Sequence, residues 1–240
     1  MGPRRSHHPS SSAARALAVL NLEQRTDVRT SPAETLVSVI VPTLNEARTL
    51  PGMLDHLAAL PGSIEVVVAD GASADDTARV AVRHPLAPRV VEAHGGRARQ
   101  LNAGAAASVG DVLVFVHADS RLPADAHRSL VSACVNDRAV GGNFRLEFEG
   151  DDLFARGLSA YYRFSRRFGV YYGDSSIFVR RDVFQRLGGL RELPIMDDYD
   201  LARRLERAGL QAEEKGGQVA RLAPTFHSLR NCRFCNSGPR

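Results

Sequence analysis

Five short stretches of this chain combine residue types that bind phosphate, metal ions or protons. VPTLNEA places Pro42, Thr43, Asn45 and Glu46 directly behind a β-branched run. VADGASADDT places Asp70, Gly71 and Ser73 behind another. A carboxylate on such a tight turn could accept hydrogen bonds from a base or a ribose. Asp and Gly are also plain turn formers, with Ser73 or Asp75 as a helix cap. GGRARQLNAG sets Arg97 and Arg99 at a helix start, with Gln100 and Asn102 beside them. Helix N-termini and guanidinium groups both take phosphate. The spacing is not GxGxxG, so a dinucleotide fold gains little, and a solvated basic loop fits equally well.

VFVHADSRLP ends an apolar run on His117, Ala118 and Asp119. Magnesium or manganese bound to a diphosphate needs only one or two carboxylates, because phosphate oxygens and water fill the other positions. Asp119 suits that task, and His117 could bond a phosphate or ligate manganese. The plainer reading is a satisfied histidine beside a turn aspartate. MDDYDLARRLERAG groups Asp197, Asp198 and Asp200. One such carboxylate can take a proton from an acceptor. Crowded carboxylates repel, which raises a carboxyl pKa. Acids at a helix start are also common for dipole reasons alone.

The elements that must position these residues alternate. VSVIV, stopping at Pro42, IEVVVAD (64–70), RVVEA (89–93) and DVLVFVHAD (111–119) read as strands buried on both faces. Between them, Leu50, Met53, Leu54, Leu57 and Leu60 fall at helical spacing, with Pro61-Gly62 as a stop. DDTARVAVRH, RARQLNAGAAAS and PADAHRSLVSACVND supply the other helices. This order predicts an α/β fold, a doubly wound, mostly parallel central sheet flanked by helices in a single domain. Ligands in such sheets sit beyond the carboxyl ends of the strands, so the first four stretches should meet at one crevice. Farther on, AVGGNFRLEFEG alternates as a half-exposed strand would, with Phe144, Leu146 and Phe148 on one face. SSIFVRR reads as a short strand, and RDVFQRLGG and DDYDLARRLERAG as helices.

The bulk numbers suit an ordinary soluble protein. Hydrophobic residues make up 44% and charged residues 24% of 240 residues, with a net charge of only +4. That balance gives no case for nucleic acid. No run approaches the ~18 apolar residues of a membrane span. Three cysteines, Cys134, Cys232 and Cys235, imply no disulfide framework and point to a reducing, cytoplasmic setting. Residues 1–35 read as a disordered extension, 36–222 as the folded domain and 223–240 as an irregular tail. One CxxC, Cys232 and Cys235, near His227 is weak evidence for zinc; two ordinary thiols is the default.

Taken together, VSVIVPTLNEA, VVVADGASADDT, GRARQLNAGAAASVGDVLVFVHADSRLP, GDSSIFVRRDVFQRLGG and MDDYDLARRLERAG resemble family 2 glycosyltransferases of the GT-A fold. Each motif alone is weak; five in order are strong. The wording of GRARQLNAGA, HADSRLP and GDSSIF resembles one subgroup, the arsenosugar-biosynthesis or selenium-associated glycosyltransferases. The resemblance implies a metal-dependent inverting transferase using Mn2+ or Mg2+, a nucleotide-sugar donor such as a UDP-sugar, and a small-molecule acceptor. It implies a donor loop at Pro42, Thr43, Asn45 and Glu46, with Glu46 toward the ribose. Asp70, with Gly71 and Ser73, would read the uracil edge. Arg97, with Gln100 and Asn102, would lie near uracil and diphosphate. Asp119 matches the last aspartate of the Asp-X-Asp metal motif, Ala118 its centre, and His117 replaces its first aspartate. Asp198, with Asp197, matches the general-base pair. Gly173 and Asp174 match an acceptor-side turn, and Arg145 belongs on that side. Arg145, Arg163, Arg166 and Arg167 would suit an oxyanion acceptor such as selenophosphate, although a basic surface helix, or a contact with a membrane surface, also explains most of them. A sugar nucleotidyltransferase and a non-catalytic nucleotide-sugar binder are the competing readings.

Overall fold

The β-branched runs form the centre of one sheet. β1 (Val37–Thr43), β2 (Ile64–Asp70), β3 (Arg89–Glu92) and β4 (Val112–Phe115) lie parallel in the order β3-β2-β1-β4. The structure is a computed structural model, and it describes residues 35–136, 139–148, 157, 161, 176–214 and 226–231. Beyond β4 the sheet continues through β7 (Ile177–Arg180), β6 (Gly141–Phe148), β8 (Phe226–Asn231) and β5 (Ser120–Arg121). β7 is antiparallel to both β4 and β6, while β8 runs parallel to β6 and antiparallel to β5. The expected α/β class and mostly parallel central sheet are therefore present.

Alternation along the strands sends side chains to two separate cores. Val37, Val39, Val66, Val68, Val112 and Val114 face one side. There they meet α1 (Leu50–Ala58), Ala81 of α2 (Thr77–Arg83) and Leu130 of α4 (Ala126–Val131). Ile40, Val67, Leu113 and Phe115 face the other side. Their partners are Leu101 and Ala105 of α3 (Arg97–Ala107), Phe184 of α5 (Arg181–Arg186), and Leu201 and Leu205 of α6 (Asp197–Glu214). Each of the valine, leucine, isoleucine and phenylalanine side chains contributes about 1.5–3 kcal/mol on burial. That two-sided burial is why these strands read as unbroken apolar runs. α3 sits very close to β1: a Cβ added at Gly104 would lie 2.5 Å from Ile40 Cγ2.

Several element boundaries differ from expectation. β1 does not stop at Pro42 but runs on to Thr43. The carbonyl of Ile40 accepts from Val116 on the β4 side, and that of Thr43 accepts from Gly71 on the β2 side. Strand alternation therefore turns Pro42 toward β4, where pairing has ended at Ile40↔Phe115. Its missing N–H is not needed there. β4 ends at Phe115 rather than Asp119, and Ser120 returns a hydrogen bond to the His117 carbonyl. α4 is shorter than its apolar pattern and passes into a π-helical turn, Ser132–Asn136. β6 is not half-exposed where its side chains are described: Asn143 and Phe144 are both buried. Residues 226–231, expected to be irregular, form β8, which covers the otherwise open edge of β6. The N-terminal extension, most of the Arg/Tyr-rich stretch and the two cysteines of the CxxC lie outside the described residues. No helix among the described residues is long and apolar enough to cross a membrane.

A polar network ties the amino-terminal ends of β1, β2 and β4. Glu65 accepts from Ser38 Oγ and from the amides of Val109 (2.5 Å) and Gly110 (2.8 Å). Arg181 donates to Ala105 O at 3.0 Å and to Ser108 Oγ at 2.9 Å. Burial pushes the Glu65 carboxyl up, but Ser38, the two amides and Arg181 together hold it below its ordinary range. A depressed carboxyl stabilises the fold above its unfolded pKa and loses that contribution as pH falls through the folded one.

Two outcomes follow. Glu65→Gln should cost about 1–2 kcal/mol in denaturant unfolding at neutral pH. The gap to wild type should narrow as the pH drops below about 4; a pH-independent gap would contradict the assignment. Gly104→Ala gains about 1 kcal/mol of helix propensity but overpacks a buried methyl at a cost of about 1–3 kcal/mol. Net destabilisation in the same assay is the expected sign.

Candidate active site

From β1 the chain moves outward to β2 and β3, then returns across the sheet to β4 on the other side of β1. The gap between β1 and β4 is therefore the switch point, where loops diverge and a crevice forms. A cleft of about 300 Å³, open to solvent, lies there. Its walls are mostly apolar, including Pro42, Phe115, Val116, Ile177, Leu190 and Leu201, and its polar side chains are Arg97, His117 and Asp198. A mostly apolar wall with a few convergent polar groups is the usual make-up of a ligand site.

The loops after β1 and β2 are laced together beside it. Asp70 is buried and accepts from Thr43 Oγ1 at 3.0 Å, Ser73 N at 2.9 Å and Ser73 Oγ at 2.6 Å. Asn45, at φ 57°, donates its amide to Ser73 Oγ and accepts from Ala74 N at 2.8 Å. The amide of Glu46 bonds Thr77 Oγ1 at 2.8 Å. Asp75 accepts from Thr77 N and Ala47 N, but the N-cap of α2 is Asp76, whose side chain makes no capping bond, so neither Asp75 nor Ser73 is the cap. Three of the roughly four acceptor positions on the Asp70 carboxylate are thus committed to its own turn. What it can offer a ligand is narrow and fixed in direction.

Gln100 and Asn102 have a different use from the one their types suggest. Gln100 is buried, and its Nε2 donates to the carbonyls of Thr43 (2.7 Å) and Ala69 (2.9 Å). It adds a second hydrogen bond to strand-end carbonyls of β1 and β2, that of Thr43 already accepting from Gly71 N at 2.8 Å. Gly71 leaves room for it, since a Cβ there would lie 2.8 Å from Gln100 Nε2. Asn102 donates to Leu190 O at 2.8 Å and accepts from Leu190 N at 2.9 Å. Both side chains position backbone beside the cleft and do not line it.

Arg97, the first residue of α3, makes the central contact. Its guanidinium pairs with Asp197 and, at 3.2 Å, with Asp198 Oδ2, while Nη1 lies 3.2 Å from His117 Nε2. Arginine only donates, so Nε2 is the acceptor and His117 is a neutral imidazole in this contact. Burial alone would lower the Arg97 pKa, but Asp197 and Asp198 outweigh it and raise it above its ordinary value. Asp200 pairs with Arg204 at 2.7 Å and Arg191 at 3.2 Å. The carboxylates at the start of α6 are therefore not left to repel one another: each has a guanidinium partner. Asp198 also accepts from its own helix, from Tyr199 N at 2.7 Å.

His117, Ala118 and Asp119 form the turn beyond β4, and Ala118 and Asp119 are buried. Asp119 Oδ1 has no hydrogen bond among the described residues, while other interactions of the residue hold it. No group of three or more metal-ligating side chains occurs among the described residues. Arg145 belongs to β6 by its backbone, but its side chain, like Gly173 and Asp174, lies outside the described residues. The apolar wall from Ile177, Leu190 and Leu201 was not anticipated. Its residues look like ordinary core positions, and only the meeting of β7, α6 and the segment between α5 and α6 reveals it.

Known proteins agree with this architecture. The family model described as glycosyl transferase family 2 matches residues 38–188. An uncharacterized glycosyltransferase of Mycobacterium tuberculosis is 38% identical over 96 residues, 40% of this chain and 42% of that protein. Glucosyl-3-phosphoglycerate synthase of the same species is 31% identical over 103 residues, 39% of this chain and 32% of the other. The matched segment thus spans about two-fifths of the first of these relatives and a third of the second. Among solved structures, a mannosyltransferase from Pyrobaculum calidifontis in complex with GDP-Man and Mn2+ superposes with a TM-score of 0.59 at 21% identity, covering 94% of this chain and 66% of that one. S. aureus TarS (residues 1–349) superposes at 0.62 and 16% identity, covering 82% and 60%. The family model covers well over half of the chain, from β1 to the end of α5, so the protein belongs to glycosyl transferase family 2.

Proposed function

We propose that this protein is a metal-dependent, inverting glycosyltransferase that moves a sugar from a UDP-sugar to a small acceptor. One observation carries the reading: Asp198 opens into the same cleft as His117, at the switch point of a family 2 sheet, with Asp119 on the adjoining turn. The laced loops of Pro42, Thr43, Asn45 and Glu46, and of Asp70, Gly71 and Ser73, would form the nucleoside side. UDP as carrier is supported by TarS, whose solved complexes include one with UDP-GlcNAc. The Mn2+ in the mannosyltransferase complex supports a metal at the same kind of site.

The donor set fits an ion shared with substrate. A closed protein cage is not available among the described residues, but magnesium and manganese accept one carboxylate plus diphosphate oxygens and water. Asp119 would be that carboxylate. When bound, the ion supplies positive charge to the departing diphosphate. Asp198 would take the acceptor's proton as the acceptor oxygen bonds the anomeric carbon. The bond from that carbon to the diphosphate oxygen breaks from the opposite side, and UDP leaves with its electron pair. The finer reading of the acceptor, an oxyanion such as selenophosphate or an arsenosugar precursor, is supported by the GRARQLNAGA, HADSRLP and GDSSIF motifs and by Arg145. An acceptor that is already an anion needs no base, and Asp198 would then only orient it.

Calorimetry of UDP binding tests the donor side. Manganese should strengthen binding in the wild type, and Asp119→Asn should remove that gain. No UDP binding by folded protein, with or without manganese, would remove the UDP-sugar reading. For the chemistry, Asp198→Asn should lower transfer by about 10²–10⁴-fold with UDP affinity kept. Pyrophosphate release from a nucleoside triphosphate and a sugar phosphate would instead favour a nucleotidyltransferase, and UDP binding without turnover a binding protein.

A further inference from the structure

The segment between α5 and α6 leads into Asp197 and Asp198, of which Asp198 lines the cleft, and α3 holds this segment and the start of α6 at three points. Asn102 clamps the backbone of Leu190 in both directions. Arg99 pairs with Glu192 at 2.8 Å, but both side chains are 54% exposed, so this pair is worth little. Arg97 is the innermost tie and the only one of the three that reaches the carboxylates. It is also the only one that touches the turn after β4, through His117.

The motif resemblance places Arg97 near the donor's uracil and diphosphate. The contacts point elsewhere. A guanidinium has five donors in a fixed plane. Here Nη2 meets both Asp197, which is buried, and Asp198 Oδ2, while Nη1 faces His117 Nε2. Asp198 is held at both oxygens, by Arg97 at Oδ2 and by the Tyr199 amide at Oδ1. Each oxygen keeps a second lone pair. The carboxylate is therefore oriented while still able to accept a proton.

We infer that Arg97 is a positioning residue for Asp198, fixing its carboxylate in the cleft and coupling it through His117 to the turn that carries Asp119. This inference rests on the glycosyltransferase reading for its chemistry but not for the geometry of the contact. Arg97 differs here from a residue that binds the donor: its removal should cost turnover rather than donor affinity. Lysine has one nitrogen, which can stand where Nη2 meets the carboxylates but supplies no second nitrogen to face His117.

The test compares Arg97→Ala and Arg97→Lys with wild type, in transfer at saturating donor and acceptor and in UDP binding. Arg97→Ala should lower kcat by about a hundredfold, the scale of a misplaced catalytic group. UDP affinity should stay within about threefold of wild type, and Arg97→Lys should recover part of the turnover. Loss of UDP affinity as large as the loss of turnover, or no loss of turnover, overturns the assignment. A second measurement does not depend on activity. Unfolding of Arg97→Ala, Asp198→Asn and the double variant should be non-additive, because the two groups touch. Additive losses overturn the pairing even if all three variants fold. Wild-type protein that transfers no sugar would remove the parent reading, and the cycle would still decide whether Arg97 holds Asp198.

Discussion

Burial on both faces of the central strands is the constraint on which this molecule depends. β1, β2 and β4 present valines to α1, α2 and α4, and Ile40, Val67, Leu113 and Phe115 to α3, α5 and α6. Such strands have no solvent face on which to carry polar chemistry. Polar side chains must then lie at strand ends or on helix termini. At the amino-terminal ends Glu65 and Arg181 use that freedom to tie loops together. At the carboxyl ends the same freedom produces a cleft, because β1 and β4 part company at Pro42. Proline is tolerated inside a central strand here for the same reason that the cleft exists: no strand is left for its nitrogen to bond.

The sheet's core was legible because its signal is local. Val37 to Val41 and Ile64 to Asp70 are β-branched runs bounded by turn residues, and they pair in register over their whole length. β8 was not legible. FHSLRN has no strong alternation, and it is a strand because the edge of β6 offers unpaired backbone groups. Tertiary demand overrides weak local preference in such segments. The boundary of β4 failed in the opposite direction. VHA continues the apolar run, but after Phe115 β1 has turned away and there is no ladder for it to join.

The candidate site was legible as a gathering of strand ends but not as a set of contacts. Strand-end position marked Thr43, Asp70, His117 and Asp119 because geometry forces such residues toward one edge. Nothing in spacing could pair Arg97 with Asp197, which lies 100 residues away. Residue type also misled at Gln100 and Asn102. Amides beside a basic helix start look like ligand groups, yet both satisfy backbone polar groups. Gln100 adds a second bond to carbonyls at the ends of paired strands, and Asn102 supplies both backbone partners of Leu190 in a segment outside helix and strand. Part of the polar equipment near any such site therefore serves the fold.

The contacts of Arg97 also give a physical account of His117, where the Asp-X-Asp motif that this turn resembles has an aspartate. Arg97 is one positive charge facing Asp197 and Asp198, with Asp119 two residues beyond His117. A carboxylate at position 117 would compete for the same guanidinium and add a further negative charge to a mostly apolar cleft. A neutral imidazole accepts one hydrogen bond from Arg97 without claiming its charge. The guanidinium can then remain with Asp197 and Asp198 and still be tethered to the end of β4. Histidine at 117 and arginine at 97 are best understood as one device, in which an uncharged acceptor on the turn after β4 is matched by a cation committed to the start of α6.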